Sequence, residues 1–218
     1  MKSPKSKVQS PAAEKKSAPL LILISAPSGG GKTTLCQQLL AARPDLTRAI
    51  TCTTRAPRAG EKNGVDYHFL DAAEFARRVQ AGDFIEQATV FGRSYGTLRS
   101  ELLDKLRAGR DVLLNVDVQG AATLRERAQA EPELKHALVT VFLTPPSVAV
   151  LAERLNHRRT DAPEEIQKRL GRARQEIAQW TNFDYLLISS TIPEDLRRML
   201  AIVEAEKLRA SRAAAPGF

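Results

Sequence analysis

A stretch of apolar residues at 20–24 runs directly into Ala26-Pro27-Ser28-Gly29-Gly30-Gly31-Lys32-Thr33-Thr34, and a helical pattern follows to residue 42. That order of strand, glycine-rich turn and helix restricts the chain to folds with a phosphate loop between one strand and the next helix. Consecutive glycines let backbone N–H groups converge on phosphate oxygens with no Cβ in the way, and the helix adds its positive N-terminus. Ala26 through Thr34 are expected to form this cradle, with Lys32 spanning two phosphates and Thr33 holding Mg2+. The implied ligand is a nucleoside triphosphate with magnesium; the reaction that follows is left open by the motif alone. The usual pattern G-x-x-x-x-G-K-S/T has glycine first, whereas this chain has Ala26, so one methyl group must be accommodated at the turn.

The rest of the chain alternates in the same style. Apolar runs bounded by turn residues recur at 20–25, 112–116, 138–143 and 185–188, and helical patterns lie at 32–42, 120–129, 147–156, 163–180 and 193–209. Such alternation predicts an α/β fold of the phosphate-loop type, with a parallel sheet and helices on both faces. Residues 53–98 break the pattern into short, turn-rich pieces around a short helix at 72–81, the mark of an inserted small β-rich subdomain. The core is accordingly expected at 19–52 and 99–210. Charge and polarity at 156–164 interrupt two helices as a mobile flap would, and a lid is expected at 155–168. The first 18 residues read as a disordered basic tail and 211–218 as a frayed end.

Composition bounds the function classes. At 218 residues, with 43% hydrophobic and 27% charged residues, the chain suits one soluble α/β domain with insertions. No apolar run approaches the roughly 18 residues of a membrane span. Cys36 and Cys52 carry no disulfide framework or metal-ligand spacing, which fits a reducing cytoplasm. The formal charge of +8 invites a nucleic-acid reading, but half of it sits at residues 1–19, where Lys2, Lys5, Lys7, Lys15 and Lys16 stand against Glu14. No RNA-binding aromatic motif or zinc-finger spacing supports a specific nucleic-acid partner. His68, His136 and His157 show no acid–base partner at useful spacing. Trp180 reads as packing a helix end, and Cys36 as core.

A triphosphate cradle serves hydrolases, switches and kinases alike, so the acceptor must be sought elsewhere. In Thr51-Cys52-Thr53-Thr54-Arg55-Ala56-Pro57-Arg58, two guanidinium forks beside hydroxyls flank a short proline turn, a pattern suited to a terminal phosphate but also common among surface arginines. With that segment in view the chain resembles the guanylate kinase family, whose members move the γ-phosphate of ATP onto GMP. The resemblance covers about residues 20–208. It is carried by APSGGGKTT, TTRAPRAGEKNGVDYHF, FIE at 84–86, FGRSYGT, VDVQG, PPS, RLNHRRT and KRL, and TTR-x-PR-x-GE followed by G-x-x-Y is its most specific part.

The chemistry of guanine suits these residues. It presents an acceptor at O6 beside donors at N1 and N2, so the Glu86 carboxylate could accept from both donors while a hydroxyl such as Thr51 donates to O6. Adenine reverses the polarity at position 6, a mismatch worth several powers of ten in discrimination. Matching positions imply that Arg55, Arg58, Tyr67 and Tyr95 hold the GMP phosphate, and that Glu86, Thr51, Thr97 and Asp117 serve the base side. They further imply Lys32, Arg55, Arg58, Arg154, Arg158 and Arg169 as the catalytic cations, with Arg158 also against adenine. An ionised phosphate acceptor needs no strong general base, so positioning and charge neutralisation would supply most of the catalysis, behind a lid that excludes water.

The implied substrates are ATP and GMP with Mg2+ as cofactor; use of dGMP, and monomer or homodimer, are left open. Departures from the family pattern are Asn115 where an acidic residue is usual, Ser189 and Ser190 for a common Asn-Asp pair, Arg159 for a glycine, and Cys52. Arg159, Arg172 and Arg174 read as ordinary solvated helix arginines. The alternatives are a non-catalytic guanylate-kinase-like interaction module, which would be expected to lose the cradle, a kinase for another small acceptor, and a nucleic-acid binder driven by the lysine tail.

Overall fold

The computed structural model describes residues 17–90, 92–157 and 163–213. In chain order the elements are β1 (Leu21–Ser25), α1 (Lys32–Ala42), β2 (Leu46–Arg48), β3 (Cys52–Thr53), β4 (His68–Phe69), α2 (Ala72–Ala81), β5 (Phe84–Val90), β6 (Arg93–Leu98) and α3 (Arg99–Arg107). There follow β7 (Asp111–Asn115), α4 (Val118–Ala128), α5 (Pro132–Ala137), β8 (Leu138–Thr144), α6 (Val148–His157), α7 (Pro163–Ile177), a 3-10 turn at Trp180–Asn182, β9 (Tyr185–Ile188) and α8 (Ile192–Lys207).

The main sheet is parallel throughout, in the order β2-β7-β1-β8-β9. Its centre, β1, has no polar residue before Ser25 and every residue buried, as a parallel strand covered on both faces requires. Alternate side chains go to alternate layers. Leu20, Ile22 and Ile24 pack with Leu35 and Leu39 of α1 and Met199 and Val203 of α8, whereas Leu21 and Leu23 pack with residues of α3, α4 and α5. At about 1.5–3 kcal/mol for each buried aliphatic side chain, these layers fix the strand whose C-terminal end carries the glycine-rich turn. Ligands of such sheets bind at that edge.

A second sheet, β4-β3-β6-β5, is antiparallel except for the β3–β4 pair. Cys52 and the stacked rings of Phe75 and Phe84 form its small core under α2, and α4 lies against β5. Asp71 caps α2 by accepting from the Glu74 N–H, and Gly82 ends it in the left-handed region.

In the main domain, one strand and two α-helices fall outside the expected elements. β2 has only three residues and α5 six, too short to show a period, while α3 carries its buried Leu102, Leu103 and Leu106 directly after β6. Residues 1–16 and 214–218 lie outside the described residues, but the Ala18 N–H donates to the Arg212 carbonyl and Lys207 Nζ to the Ala18 carbonyl. Arg212 is buried, pairs with Glu206 and donates to the carbonyls of His136 and Leu138. Ala18 and Arg212 are thus tied to the body, where a desolvated guanidinium needs those acceptors. Of the expected lid, residues 158–162 lie outside the described residues. Among the described residues no helix is long and apolar enough to cross a membrane.

Candidate active site

The turn from β1 into α1 is built for an anion. Gly29 and Gly31 have φ of 87° and 94°, where a side chain is strained, and a Cβ on Gly29 would also meet Leu155 at 2.9 Å. Ala26 fits where glycine is usual because the facing residue is Gly30: a Cβ there would stand 3.1 Å from the Ala26 methyl. Gly31 caps α1 without any side-chain hydrogen bond, and the first turn holds no acidic residue, so its N–H groups stay open to a ligand. Residues Ala26 to Thr34 line a cavity of about 250 Å3 together with Val90, Asp117, Arg172 and Glu176. Lys32 Nζ donates to the Val116 carbonyl at 2.7 Å, and burial lowers its pKa from the usual lysine value.

Beside it lies a cavity of about 340 Å3, lined by Thr51, Arg58, Tyr67, Glu86, Tyr95 and Asn115 among others. Lys32, Thr33, Val90 and Asp117 line both cavities. Glu86, on β5, is 2% exposed, and burial pushes its carboxyl up to about 7, against the pull of the Thr97 hydroxyl, which donates to Oε1 at 2.5 Å. Thr97 itself is fully buried and stands behind the carboxylate without lining the cavity. Asp117 caps α4 by accepting from the Gly120 N–H.

The paired arginines separate. Arg58 lines the cavity, while Arg55 turns to Glu61 in a bidentate pair at 2.8 and 2.9 Å, with its guanidinium 5.3 Å from the Tyr67 ring centroid. Glu61 also accepts from the Arg58 N–H at 2.7 Å, so one carboxylate organises the whole turn.

On the other side of the cradle, Gly29, Gly31 and Thr34 border a cavity of about 390 Å3 with Arg154, Ser189, Ser190 and Asp195. Arg154 Nη2 donates to the Ser189 hydroxyl at 3.1 Å, and the Ser190 N–H to Asp195 at 2.8 Å. Arg169, half-buried on α7, is not among the residues lining these cavities. Arg158 lies outside the described residues. A larger groove, about 800 Å3, between α2 and the β5–β6 pair offers one arginine and no carboxylate, and so no convergence of charge.

Arg172 requires a correction. Read as a solvated helix arginine, it instead lines the cradle, 3.2 Å from Glu176 and 4.0 Å from Asp117. Glu176 accepts from the Ser28 N–H at 3.3 Å, and burial raises its pKa. The i, i+4 spacing of the pair was readable, but it is also a common surface pattern. Glu61 and Gly120 were likewise passed over.

The donor set fits a magnesium ion held chiefly by substrate phosphates. Thr33 opens onto both cavities, and Asp117 Oδ2 is buried without a hydrogen-bond partner among the described residues. No cluster of three or more His, Cys, Asp or Glu residues suited to a metal occurs among the described residues.

Residues 18–206 match the family model described as guanylate kinase. A guanylate kinase of Maricaulis maris is 40% identical over 193 residues, 88% of this chain and 86% of the relative. One of Coxiella burnetii is 41% identical over 189 residues, 87% and 88% of the two chains. The crystal structure of guanylate kinase from Anaplasma phagocytophilum superposes with a TM-score of 0.72 at 33% identity, covering 90% of each chain. By sequence and by fold, the chain belongs to the guanylate kinase family.

Proposed function

We propose that this chain transfers the γ-phosphate of ATP to GMP, giving ADP and GDP, with the donor phosphates in the glycine-rich cradle and the acceptor in the neighbouring cavity. The observation that carries this reading is the shared wall: Lys32, Thr33 and Asp117 border both cavities, so two nucleotides filling them would meet at one cation. A hydrolase or switch needs the first cavity only.

The roles follow from the positions. Lys32, short of full solvation, neutralises phosphate charge at low reorganisation cost, and Arg154 reaches the same cradle from α6. Arg58 and the Tyr67–Tyr95 pair, whose ring centroids are 6.2 Å apart, receive the GMP phosphate, and Arg55 joins them from its seat on Glu61. Glu86 accepts from guanine N1 and N2, Thr51 donates to O6, and Asp117 and Thr97 keep the base side ordered. Arg158 and Arg169, from the family match, complete the cover over the transferring group. Thr33, with Asp117 lining the same two cavities, would hold magnesium, which when bound would neutralise phosphate oxygens. Nucleotide chemistry of this kind suits a cytoplasmic enzyme; dGMP is an acceptor compatible with the same base contacts.

Retention of Lys32, Thr33 and an uncapped α1 N-terminus disfavours a non-catalytic interaction module. A coupled assay with ATP and GMP, AMP, dTMP or UMP tests the reading. ADP formation with GMP far above the other acceptors is expected; binding of GMP without turnover would revive the interaction module, and preference for AMP would overturn the role of Glu86.

A further inference from the structure

Gly120 is buried on the first turn of α4, its N–H donating to Asp117 Oδ1 at 2.9 Å. A Cβ built on it would stand 2.5 Å from Glu86 Oε2 and 3.3 Å from both Glu86 Cδ and Val116 Cβ; real Cβ contacts essentially never fall under 3.0 Å. The other carboxylate oxygen is held by Thr97 on β6. Glu86 is therefore wedged between a hydroxyl on one element and a bare Cα on another.

We infer that Gly120 is a positioning residue for acceptor specificity: the missing side chain at 120 creates the seat that aims the Glu86 carboxylate at the guanine edge. The proposal rests on reading Glu86 as the acceptor for guanine N1 and N2. The nearest obstructing atom is the end of a flexible side chain, so a methyl group at 120 displaces the carboxylate first, while Val116 Cβ at 3.3 Å has to give by only a few tenths of an ångström. Alanine is also the better helix former, which offsets the cost of crowding Glu86 and Val116. Base recognition does lose, because two parallel hydrogen bonds tolerate little lateral error before distance and angle fail. A role in stability and a role in aim are thus separable at this position.

Steady-state kinetics of Gly120→Ala test it, with GMP compared against IMP, which lacks the N2 donor. The expected result is a KM for GMP raised tenfold or more, with kcat within threefold, an unchanged KM for ATP, a smaller preference for GMP over IMP, and an unchanged or higher Tm. Glu86→Asp, one methylene shorter, should raise the KM for GMP alone yet lower it when added to Gly120→Ala. A KM for GMP within twofold of the parent, a fall in Tm with all kinetic parameters worsening together, or simple additivity in the double variant would overturn the inference. Glu86→Gln separates the two levels. If that change leaves the KM for GMP untouched, the base reading itself fails; if it raises KM while Gly120→Ala does not, only the seat at Gly120 falls.

Discussion

The donor cradle and the base pocket share a wall but are built from different material. Nine consecutive residues, Ala26 to Thr34, line the cradle at one strand–helix junction, and what it offers a ligand is mostly backbone N–H. The pocket draws Thr51, Tyr67, Glu86, Tyr95 and Asp117 from separate parts of the chain, and its groups are side chains. A backbone site needs only the turn, which accommodates the Ala26 methyl against Gly30, whereas a side-chain site depends on tertiary register. Both regions nevertheless use one electrostatic device. Burial lowers the pKa of Lys32 and raises that of Glu86, so each charge is disfavoured until a ligand supplies phosphates to one or N–H donors to the other.

The largest way to break this comparison is Lys32→Ala, which should reduce kcat/KM by a thousandfold or more, about 4 kcal/mol of transition-state stabilisation, with little change in Tm. A loss of only a few-fold would mean that the cradle acts through its backbone alone. Next is Glu86→Gln, expected to lower kcat/KM for GMP by about a hundredfold while leaving the KM for ATP unchanged.

Glu86 also sharpens the electrostatic half. Its folded pKa of about 7 exceeds the ordinary 4.5, so the stability it contributes is present below pH 4.5 and lost as pH rises through 7. Glu86→Gln should therefore be more stable than the parent at pH 8, by up to about 3 kcal/mol, and show no such gain at pH 4 in chemical denaturation. For binding the sign is opposite. Guanine donors need the ionised form, so kcat/KM for GMP should fall about tenfold per pH unit below 7. A flat profile from pH 5 to 8 would contradict this.

Smaller effects probe the supports. Glu61→Ala releases Arg55 and the Arg58 backbone, and should raise the KM for GMP about tenfold, the worth of roughly one charge-assisted pair. Ser189→Ala removes one neutral partner of Arg154 and should change the KM for ATP by no more than about threefold.

Much of the architecture was legible because the main sheet is parallel: 185–188 and 32–42 have the bounds of β9 and α1, and the other anticipated strands and helices of the main sheet shift by a few residues at most. The short β2 and α5 left no period to read, and α3 hid behind the strand before it. The cradle was legible from spacing alone. Of the pocket residues, Thr51 and Arg58 were legible as part of an arginine-rich segment, but Tyr67, Glu86, Tyr95 and Asp117 entered only through the family resemblance, since Glu86 on its own reads as a solvated strand residue, and Arg172 and Glu176 as a surface pair. Gly120 was invisible for a simple reason: sequence records which side chains are present, and its effect lies in the space a missing one leaves.

The most direct measurement is the affinity of adenosine and guanosine joined through five phosphates, a single molecule able to fill both cavities. Two pockets meeting at Lys32 and Thr33 require one such molecule per chain, bound at least a hundredfold more tightly than ATP or GMP alone. Binding no tighter than ATP, or with room left for a separate GMP, would show that the cavities do not hold donor and acceptor end to end.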